Sequence, residues 1–400
     1  MCAETLPDDP GSLADLSYIL NELGEDRDHY FGAVAPPIMQ TSNFAFKTVA
    51  EFQQALEKEY DTHLYSRGSN PTTDILRKKL AALDGAEDAL VFNSGSSAIF
   101  AAVVSQVKAG DHIVSVNKPY TWAQKLFDRL LSRFGVATTY IDGTRIENFE
   151  KAILPNTRVI YLESPNSWDF ALQDLAAVAD LAKAEGITTI CDNSYCTPLY
   201  QQPLKLGIDM SLQSASKYIG GHSDVVAGVL SGTRETMKKI FDHEMLISGN
   251  GISPFNAWLL LRGLRTLPVR MAAISRTTLK LVEFLKKEEK VEQVLFPLDP
   301  SFPQYDLVKK QMSGACGLVT IILRCDTRAE IILFCESFKH VLMAVSWGGY
   351  ESLLIPRCAV IRDSDFDATI SAHRSVRFYV GLEEPGYLIT DMEQAFVSIK

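Results

Sequence analysis

Two hydrophobic patterns alternate along the sequence from about residue 73 to residue 231. Short apolar runs, typical of buried strands, are separated by amphipathic stretches of about ten residues, typical of helices. The predicted strands cover residues 89–92, 112–116, 137–141, 158–162, 187–191 and 225–231. This alternation predicts an α/β fold in which a mostly parallel sheet carries helices on both faces.

Polar residues stand at or just beyond the ends of the predicted strands. They are Ser94, Tyr120, Glu163, Asp192 and Lys217. In open parallel sheets a ligand binds outside the carboxyl ends of the strands, so these five residues are expected to meet at one rim. The turn at residues 93–97, Asn-Ser-Gly-Ser-Ser, opens the next predicted helix. Free amides and the helix dipole favour an anion at such a turn, although no Gly-Lys-Ser/Thr follows to make it a P-loop.

Lys217 lies among small residues, after an apolar run and before Gly220-Gly221, which is unlike a solvated helix face. A lysine in such a place can have a depressed pKa and act as an amine nucleophile in Schiff-base chemistry. The hydroxyls of Ser214 and Ser216 stand beside it and can bind a phosphate. A lysine next to a phosphate site suggests pyridoxal 5′-phosphate (PLP) as the cofactor. A carboxylate such as Asp192 would keep the pyridine nitrogen of that cofactor protonated, or would simply cap a turn.

Two other stretches offer anion ligands. Tyr65 and Arg67 lie in a loop marked by Gly68, Asn70 and Pro71, where a phenol and a guanidinium can face one anion. Arg377 and Ser346 can hold a substrate carboxylate, because a planar guanidinium matches a carboxylate fork. Taken alone, the first stretch favours a turn with exposed polar groups, and Arg377 favours an ordinary ion pair.

The composition of the chain disfavours several classes of protein. The formal net charge is −10 and no basic block stands out, which disfavours nucleic acid or an anionic membrane as partner. No apolar run approaches membrane-spanning length and no signal peptide is recognisable. Seven cysteines without C-x-x-C spacing disfavour a disulfide framework or a metal site and indicate a reducing, cytoplasmic location.

The chain divides into three predicted regions. Residues 1–60 contain Pro36-Pro37 and are interpreted as an N-terminal arm, extended apart from a short helix over 48–58. Residues 61–252 form the large domain with the alternating pattern. Residues 253–400 form a smaller C-terminal α/β domain that begins with a long helical stretch, broken near Pro268.

From residue 30 onward the motifs together resemble the PLP-dependent enzymes of cysteine and methionine metabolism, the trans-sulfuration enzymes. The motifs are Pro36-Pro37 with Gln40-Thr41-Ser42, the segment from Tyr65 to Thr72, Ser94-Gly95, Asp192-Asn193 with Thr197-Pro198, the segment from Ser214 to Asp224, and the segment from Ser346 to Leu353 with Arg377. The resemblance implies the aspartate aminotransferase-like fold, fold type I, and a homotetramer built from dimers that share active sites.

The resemblance also implies roles for single residues. Lys217 is similar to the catalytic lysine that carries the cofactor, Asp192 to the partner of the pyridine nitrogen, and Tyr120 to the ring-stacking tyrosine. The phosphate cradle is matched by Gly95, Ser96, Ser214 and Ser216, and the pair that reaches the neighbouring subunit's phosphate by Tyr65 and Arg67. Ser346 and Arg377 match the site of the substrate α-carboxylate.

Three departures from the family pattern bear on the activity. Ser167 stands where many members have a cofactor-contacting asparagine, and Trp347 stands where γ-lyases and γ-synthases have leucine. Both look like the cystathionine β-lyase pattern, and Trp347 is expected to contact the substrate. Trp122 stands where methionine γ-lyases have a cysteine. The expected reaction is β-elimination of L-cystathionine, with γ-elimination or γ-replacement as the alternative.

Two further readings come from other classes. A non-catalytic binding protein on the same fold would have no need of Lys217. A nicotinamide-dependent oxidoreductase would be expected to carry G-x-G-x-x-G after an early strand, and none is present.

Overall fold

The structure, a computed structural model, describes residues 10–399. Its strands are β1 (Asp88–Phe92), β2 (His112–Val116), β3 (Ala137–Ile141), β4 (Thr157–Glu163), β5 (Thr188–Asp192), β6 (Met210–Gln213), β7 (Gly228–Gly232), β8 (Val291–Leu295), β9 (Leu318–Leu323), β10 (Leu342–Met343), β11 (Leu353–Pro356) and β12 (Ser375–Tyr379). Its helices are α1 (Pro10–Asn21), α2 (Val49–Glu57), α3 (Pro71–Asp84), α4 (Gly95–Val104), α5 (Thr121–Lys125), α6 (Ile146–Ala152), α7 (Leu175–Glu185), α8 (Thr197–Tyr200), α9 (Arg234–Ile240), α10 (Leu246–Ser248), α11 (Pro254–Arg265), α12 (Leu267–Leu285), α13 (Tyr305–Gln311), α14 (Arg328–Glu336) and α15 (Pro385–Val397).

The large domain contains a seven-stranded sheet in the order β1-β7-β6-β5-β4-β2-β3. The pairs from β3 through β2, β4 and β5 to β6 are parallel, whereas β7 runs antiparallel to both β6 and β1. The predicted mostly parallel sheet is therefore confirmed. The antiparallel insertion of β7 places the end of β6, which leads into Lys217, at the centre of the sheet's ligand-binding edge.

Helices cover both faces of this sheet, as the alternating pattern predicted. Val159 of β4 packs in one core with residues of α4, α5 and α9. Its neighbour Ile160 packs in a second core with residues of α6 and α7. Successive side chains of a strand point to opposite faces, so two apolar layers follow directly from continuously apolar strands.

Local sequence signals explain where the helices of the large domain begin and end. Asn70 caps α3 by accepting a hydrogen bond from the Thr72 amide at 2.9 Å, and Pro71 occupies the first helical position. Gly85 ends the same helix with φ +67°, a left-handed conformation that favours glycine. Ser94 caps α4 by accepting from the Ser97 amide at 3.1 Å.

The C-terminal domain is built on a second sheet in the order β10-β11-β12-β9-β8. The predicted long helix is present as α11 and α12, and the break lies at Thr266, next to Pro268. Strands β8 and β11 were not predicted. Strand β10 has only two residues, Leu342 and Met343, and both are exposed.

The N-terminal region differs from the expected extended arm. Helix α1 precedes the Pro-Pro segment, and the side chain of Leu20 is buried against the large domain. The Lys79 ammonium donates to the carbonyls of Ile19 and Leu20 at 2.9 and 3.2 Å, which binds the end of α1 to α3. The buried Glu25 carboxylate lies 3.2 Å from Lys79 Nζ. Only the part around the prolines is irregular, and the predicted helix over 48–58 is present as α2.

The described part of the chain contains no helix that is both long and apolar enough to cross a membrane. Residues 10–399 also contain no cluster of side chains suited to hold a metal ion. The six cysteines in this range are unpaired and buried, as their apolar contexts predicted, while Cys2 lies outside the described residues.

Candidate active site

The carboxyl ends of β4, β5 and β6 open onto one cavity. Glu163 and Asp192, the last residues of β4 and β5, are paired in register across the two parallel strands. The cavity is lined by Tyr120, Glu163, Pro165, Ser167, Asp192, Ser194, Tyr195, Lys217 and Trp347. Four of the five polar residues predicted to meet at the rim therefore line it, and the fifth, Ser94, lies beside it at the start of α4.

Lys217 lies in the turn that follows β6, and only 8% of its surface is exposed. Its Nζ atom lies 3.4 Å from the ring centre of Trp347 and 5.7 Å from that of Tyr120. Within residues 10–399, no carboxylate oxygen lies within salt-bridge distance of this amine. Burial lowers the pKa of Lys217 to about 8, although the carboxylates of Asp192 and Glu163 act in the opposite direction. The amine can thus exchange a proton near neutral pH.

A loop of the C-terminal domain places Trp347 on this amine. Gly348 has φ +92°, and a Cβ atom at this position would lie 2.6 Å from the carbonyl carbon of Lys217. Only glycine permits this close approach of the two backbones. Trp347 is buried, whereas Ser346 is exposed and adopts the left-handed conformation with φ +82°. The structure therefore brings Trp347 into the cavity but leaves the Ser346 side chain at its entrance.

Glu163 was not predicted as a site residue beyond its place at the rim, yet it connects several parts of the site. Its carboxylate accepts hydrogen bonds from the Tyr120 amide at 2.6 Å and the Ser167 amide at 3.0 Å. Burial, together with the nearby Asp192 carboxylate, raises the pKa of Glu163 to about 7. The signal that could have identified it is a carboxylate directly after the mostly apolar run of residues 159–162.

Asp192 begins a short chain of hydrogen bonds toward the predicted phosphate end. Its Oδ1 accepts from the Ser194 amide at 2.9 Å. The Ser194 hydroxyl in turn accepts from the Ser214 amide at 2.7 Å. Ser194, which sequence reasoning missed, therefore fixes the distance between the carboxylate at the end of β5 and the hydroxyl beyond β6.

The start of α4 and the Ser214 hydroxyl form the predicted anion cradle. A Cβ atom on Gly95 would lie 3.2 Å from the Ser214 hydroxyl, so the two residues are in direct contact. The amides of Gly95 and Ser96 have no acceptor among the described residues, as expected in the first turn of a helix. The Ser216 hydroxyl donates to the Ala227 carbonyl at 3.2 Å and accepts from the Ala227 amide at 3.0 Å. Its predicted contact with a phosphate would require the hydroxyl to rotate.

Arg377 of β12 lies beside the cavity, next to Trp347 and Ser167 of its lining. Its guanidinium carbon lies 5.0 Å from the ring centres of both Trp168 and Trp347. Its Nη1 donates to the Ser167 carbonyl at 2.8 Å. Burial lowers the pKa of Arg377 to about 10, and within residues 10–399 no carboxylate lies within salt-bridge distance. A buried cation without an anionic partner is a favourable position for a ligand carboxylate.

Tyr65 and Arg67 do not line this chain's own cavity. Tyr65 is 44% exposed, and the Arg67 guanidinium stacks on its ring at 5.4 Å. Their loop instead packs on residues 249–251, where a Cβ atom on Gly251 would lie 2.4 Å from the Arg67 carbonyl oxygen. Both side chains are on the surface, so their predicted role toward a neighbouring subunit stays a prediction.

The residues present fit PLP. A buried, unpaired lysine amine lies between a carboxylate and two aromatic rings, and free amides mark an anion site near the Asp192 end. These groups match the aldehyde, the pyridine nitrogen and the phosphate of that molecule. Lys217, Asp192, Tyr120 and the cradle of Gly95, Ser96 and Ser214 are the residues that would hold it.

Comparison with known proteins agrees with this chemistry. The chain is 38% identical over 373 residues to the L-methionine gamma-lyase of Treponema denticola, covering 91% of this chain and 92% of that protein. It is 39% identical over 366 residues to the O-succinylhomoserine sulfhydrylase of Pseudomonas aeruginosa, covering 90% of each. It is 33% identical over 377 residues to the cystathionine gamma-lyase of Bacillus subtilis, covering 93% and 96%.

A solved structure has the same fold. The crystal structure of metB from Corynebacterium glutamicum superimposes with a TM-score of 0.88 at 32% identity and covers 97% of this chain and 99% of that one. The family described as "Cys/Met metabolism PLP-dependent enzyme" matches residues 19–397. The predicted fold type I is confirmed, and the chain belongs to this family, with pyridoxal phosphate as its cofactor.

Proposed function

We propose that this PLP-dependent enzyme of sulfur amino-acid metabolism is a carbon-sulfur lyase that cleaves L-cystathionine by β-elimination. Cystathionine and water would give homocysteine, pyruvate and ammonia. The observation that carries the proposal is the buried Lys217 amine, which lies against Trp347 and near the unpaired guanidinium of Arg377. Lys217 can move a proton at Cα, and Arg377 can bind the α-carboxylate of the substrate.

Bound pyridoxal phosphate supplies an aldehyde carbon for an amine and a ring that withdraws electrons from Cα. Asp192 is buried at the end of β5, where it would keep the pyridine nitrogen protonated. The free amides of Gly95 and Ser96, with the Ser214 hydroxyl, would hold the phosphate. Tyr120 would stack on the ring, because its side chain lies over Lys217 and its amide is fixed by Glu163.

Lys217 would act as the base that removes the Cα proton of the substrate. A pKa near 8 lets the amine be partly neutral at neutral pH, which general base catalysis requires. Arg377 would hold the α-carboxylate with the guanidinium edge that does not bind the Ser167 carbonyl. Two fixed points, the base and the carboxylate site, would orient the Cα–H bond toward Nζ.

Cleavage at Cβ and cleavage at Cγ make different demands on Lys217. β-Elimination needs one proton removed from Cα, whereas γ-elimination needs a second proton removed from Cβ. Trp347 covers Nζ at 3.4 Å, and Gly348 packs that loop on the Lys217 backbone. An amine held in this way has little room to serve two carbon atoms, which favours β-elimination.

The relatives favour a second candidate, γ-elimination or γ-replacement. Proteins named L-methionine gamma-lyase, cystathionine gamma-lyase and O-succinylhomoserine sulfhydrylase are all 33–39% identical to this chain. The same Lys217 and Arg377 would serve that reaction. The departures at Ser167 and Trp347 are the features that distinguish the two candidates within this chain.

We propose further that the enzyme is a homotetramer of dimers that share active sites. The exposed Tyr65 and Arg67 support this arrangement, because they face away from the cavity of their own chain. The cytoplasmic location stays a prediction from the cysteine pattern.

Product analysis with L-cystathionine tests the proposal. Purified holoenzyme is given the substrate, and keto acids and thiols are identified by mass spectrometry. Pyruvate with homocysteine supports the β-lyase proposal. 2-Oxobutanoate with cysteine would contradict it and favour the γ-lyase candidate, and no turnover of cystathionine would contradict the β-lyase proposal.

A further inference from the structure

Cationic and aromatic side chains alternate through the site in one column. The Arg357 guanidinium carbon lies 5.1 Å from the ring centre of Trp168, and Arg377 lies 5.0 Å from the same ring. On its other side Arg377 lies 5.0 Å from the ring of Trp347, which Lys217 contacts at 3.4 Å. The column therefore runs from a half-buried arginine at the edge of the site to the catalytic lysine.

Trp168 is fixed between the two arginines by its own backbone. Its carbonyl accepts from the Thr320 hydroxyl at 2.8 Å, and its amide donates to Asn166 Oδ1 at 2.9 Å. The backbone of Trp168 is thus held next to Ser167, which lines the cavity. Both guanidinium carbons lie about 5 Å from one ring centre, so they are no more than about 10 Å apart.

Neither arginine of this pair has an anionic partner. Within residues 10–399, no carboxylate lies within salt-bridge distance of Arg357 or Arg377, and the Arg357 side chain makes no hydrogen bond. Arg77 and Arg374 do have such a partner, in Asp88 and Glu292, whereas the buried Arg270 donates to the Gly263 carbonyl and has no carboxylate partner in the described residues. Two unpaired guanidinium groups stacked on one indole repel each other, and a carboxylate bound to each of them would relieve that repulsion.

We infer that Arg357 binds a second carboxylate of the substrate, at the end remote from the reacting carbon. Arg377 binds the α-carboxylate, and Trp168 sets the spacing between the two anion sites. The enzyme would therefore prefer amino acids that carry a distal carboxylate, such as cystathionine or a succinyl ester, over amino acids with short neutral tails. This inference rests on the proposed function only in placing the α-carboxylate at Arg377.

A binding experiment tests the inference without relying on turnover. Suberate, a linear dicarboxylate, and its monomethyl ester differ in one negative charge, and both are titrated into the holoenzyme by calorimetry. A charge-assisted hydrogen bond predicts that suberate binds about 10- to 100-fold more tightly than the ester. The Arg357→Met protein keeps much of the apolar stem over Trp168 and should bind the two compounds with similar affinity. Arg357→Lys should retain part of the preference.

The matched control is Arg362→Gln, an exposed arginine on the same segment, which should keep the full preference for suberate. If Arg357→Met weakens both compounds equally, the residue merely positions Trp168 and Arg377, and the inference is wrong. It is also wrong if the wild-type enzyme does not distinguish the two compounds or if Arg357→Met retains the preference.

A kinetic comparison repeats this test with reacting substrates in place of suberate and its ester. O-Succinyl-L-homoserine and O-acetyl-L-homoserine share the reacting atoms and differ in the distal carboxylate. Arg357→Met should lower kcat/KM about 10- to 100-fold for the succinyl ester and leave that for the acetyl ester unchanged. A loss of the same size for both esters would overturn the inference. Failure to cleave cystathionine would contradict the proposed function but leave the calorimetric comparison valid.

Discussion

The Nζ atom of Lys217 lies 3.4 Å from the centre of the Trp347 indole, although the two residues are 130 positions apart in sequence. The contact stabilises the charged amine, while burial favours the neutral amine. Trp347→Leu removes the ring and gives the amine room to move. We expect the ratio of 2-oxobutanoate to pyruvate from L-cystathionine to rise about tenfold, as loss of a buried cation–π contact permits.

Phe134→Leu is the control for that change, because Phe134 is exposed and lies against Arg133 rather than against Lys217. A product ratio that does not respond to Trp347→Leu would contradict the argument that the indole restricts the base.

Lys217 is expected to carry the cofactor covalently and to act as the base. In Lys217→Ala we expect the yellow absorbance of the lysine-bound cofactor to disappear and kcat to fall by about 10²- to 10⁴-fold or more. Borohydride reduction followed by peptide mass spectrometry should place the cofactor on Lys217 in the wild type. Lys118→Ala, an exposed lysine beyond β2, should behave as the wild type. A yellow Lys217→Ala protein would contradict the assignment.

Glu163 makes the stability of the fold depend on pH. Its pKa is about 7 in the folded protein, against 4.5 for an ordinary glutamate, so the folded state binds the proton more tightly. The resulting stabilisation is complete below pH 4.5 and is lost as the pH rises through 7. At about 1.4 kcal/mol for each pKa unit, the loss is about 3 kcal/mol.

Glu163→Gln cannot ionise, and its single amide oxygen can keep one of the two hydrogen bonds that Glu163 accepts from Tyr120 and Ser167. We therefore expect the free energy of unfolding of the wild type, relative to Glu163→Gln, to fall by about 2 kcal/mol between pH 5 and pH 7.5. Urea unfolding of both proteins at the two pH values measures this difference. A difference that is constant with pH would show that Glu163 stays ionised throughout.

The Glu25 carboxylate neutralises the charge of the buried Lys79 ammonium and thereby stabilises the packing of helix α1 on α3. Its carboxylate lies 3.2 Å from Lys79 Nζ and 2.9 Å from Arg265. Glu25→Gln leaves Lys79 buried without an anion, which should lower the free energy of unfolding by about 3–5 kcal/mol. Asp306→Asn, which breaks an exposed pair with Lys309, should leave it unchanged. Equal effects of the two substitutions would show that burial of Lys79 does not matter.

Shared active sites predict complementation between inactive subunits. Arg67→Ala and Lys217→Ala proteins should each be inactive alone. Mixed and allowed to exchange subunits, they should regain activity, because a hybrid dimer contains one site with both intact residues. Size-exclusion chromatography confirms that the mixture has the oligomeric state of the wild type. Mixtures that remain inactive after exchange would contradict the prediction that Arg67 serves the neighbouring subunit.

The layers of the fold could be predicted from the sequence because each β-α step is a local signal. Val159 and Ile160 are adjacent and both apolar, although their side chains point to opposite faces of the sheet. This pattern indicates a strand that is covered on both faces. The position of β7 between β1 and β6 could not be predicted, since the pairing of Leu90 with Leu230 joins residues far apart in the chain. Strands β8 and β11 are short and flanked by polar residues, so their local pattern is weak.

The functional groups of the site could be predicted from the sequence, but the contacts between them could not. The carboxylate of Asp192 and the amine of Lys217 follow strand ends, and the parallel sheet brings strand ends together. The stacking of Arg377 between Trp168 and Trp347 depends on the alignment of two domains, and no local pattern encodes it. Glu163 was visible at the rim, but its hydrogen bonds to Tyr120 and Ser167 needed coordinates.

The contact between Gly348 and the Lys217 backbone has a mechanical consequence. Gly348 lies in the loop that connects β10 to β11, and both strands belong to the C-terminal sheet. This loop and the turn that contains Lys217 are therefore in direct backbone contact across the two domains. A shift of the C-terminal sheet would push directly on the peptide group of Lys217. A movement of the smaller domain can therefore change the position of the Lys217 amine, even though that domain supplies no reactive group.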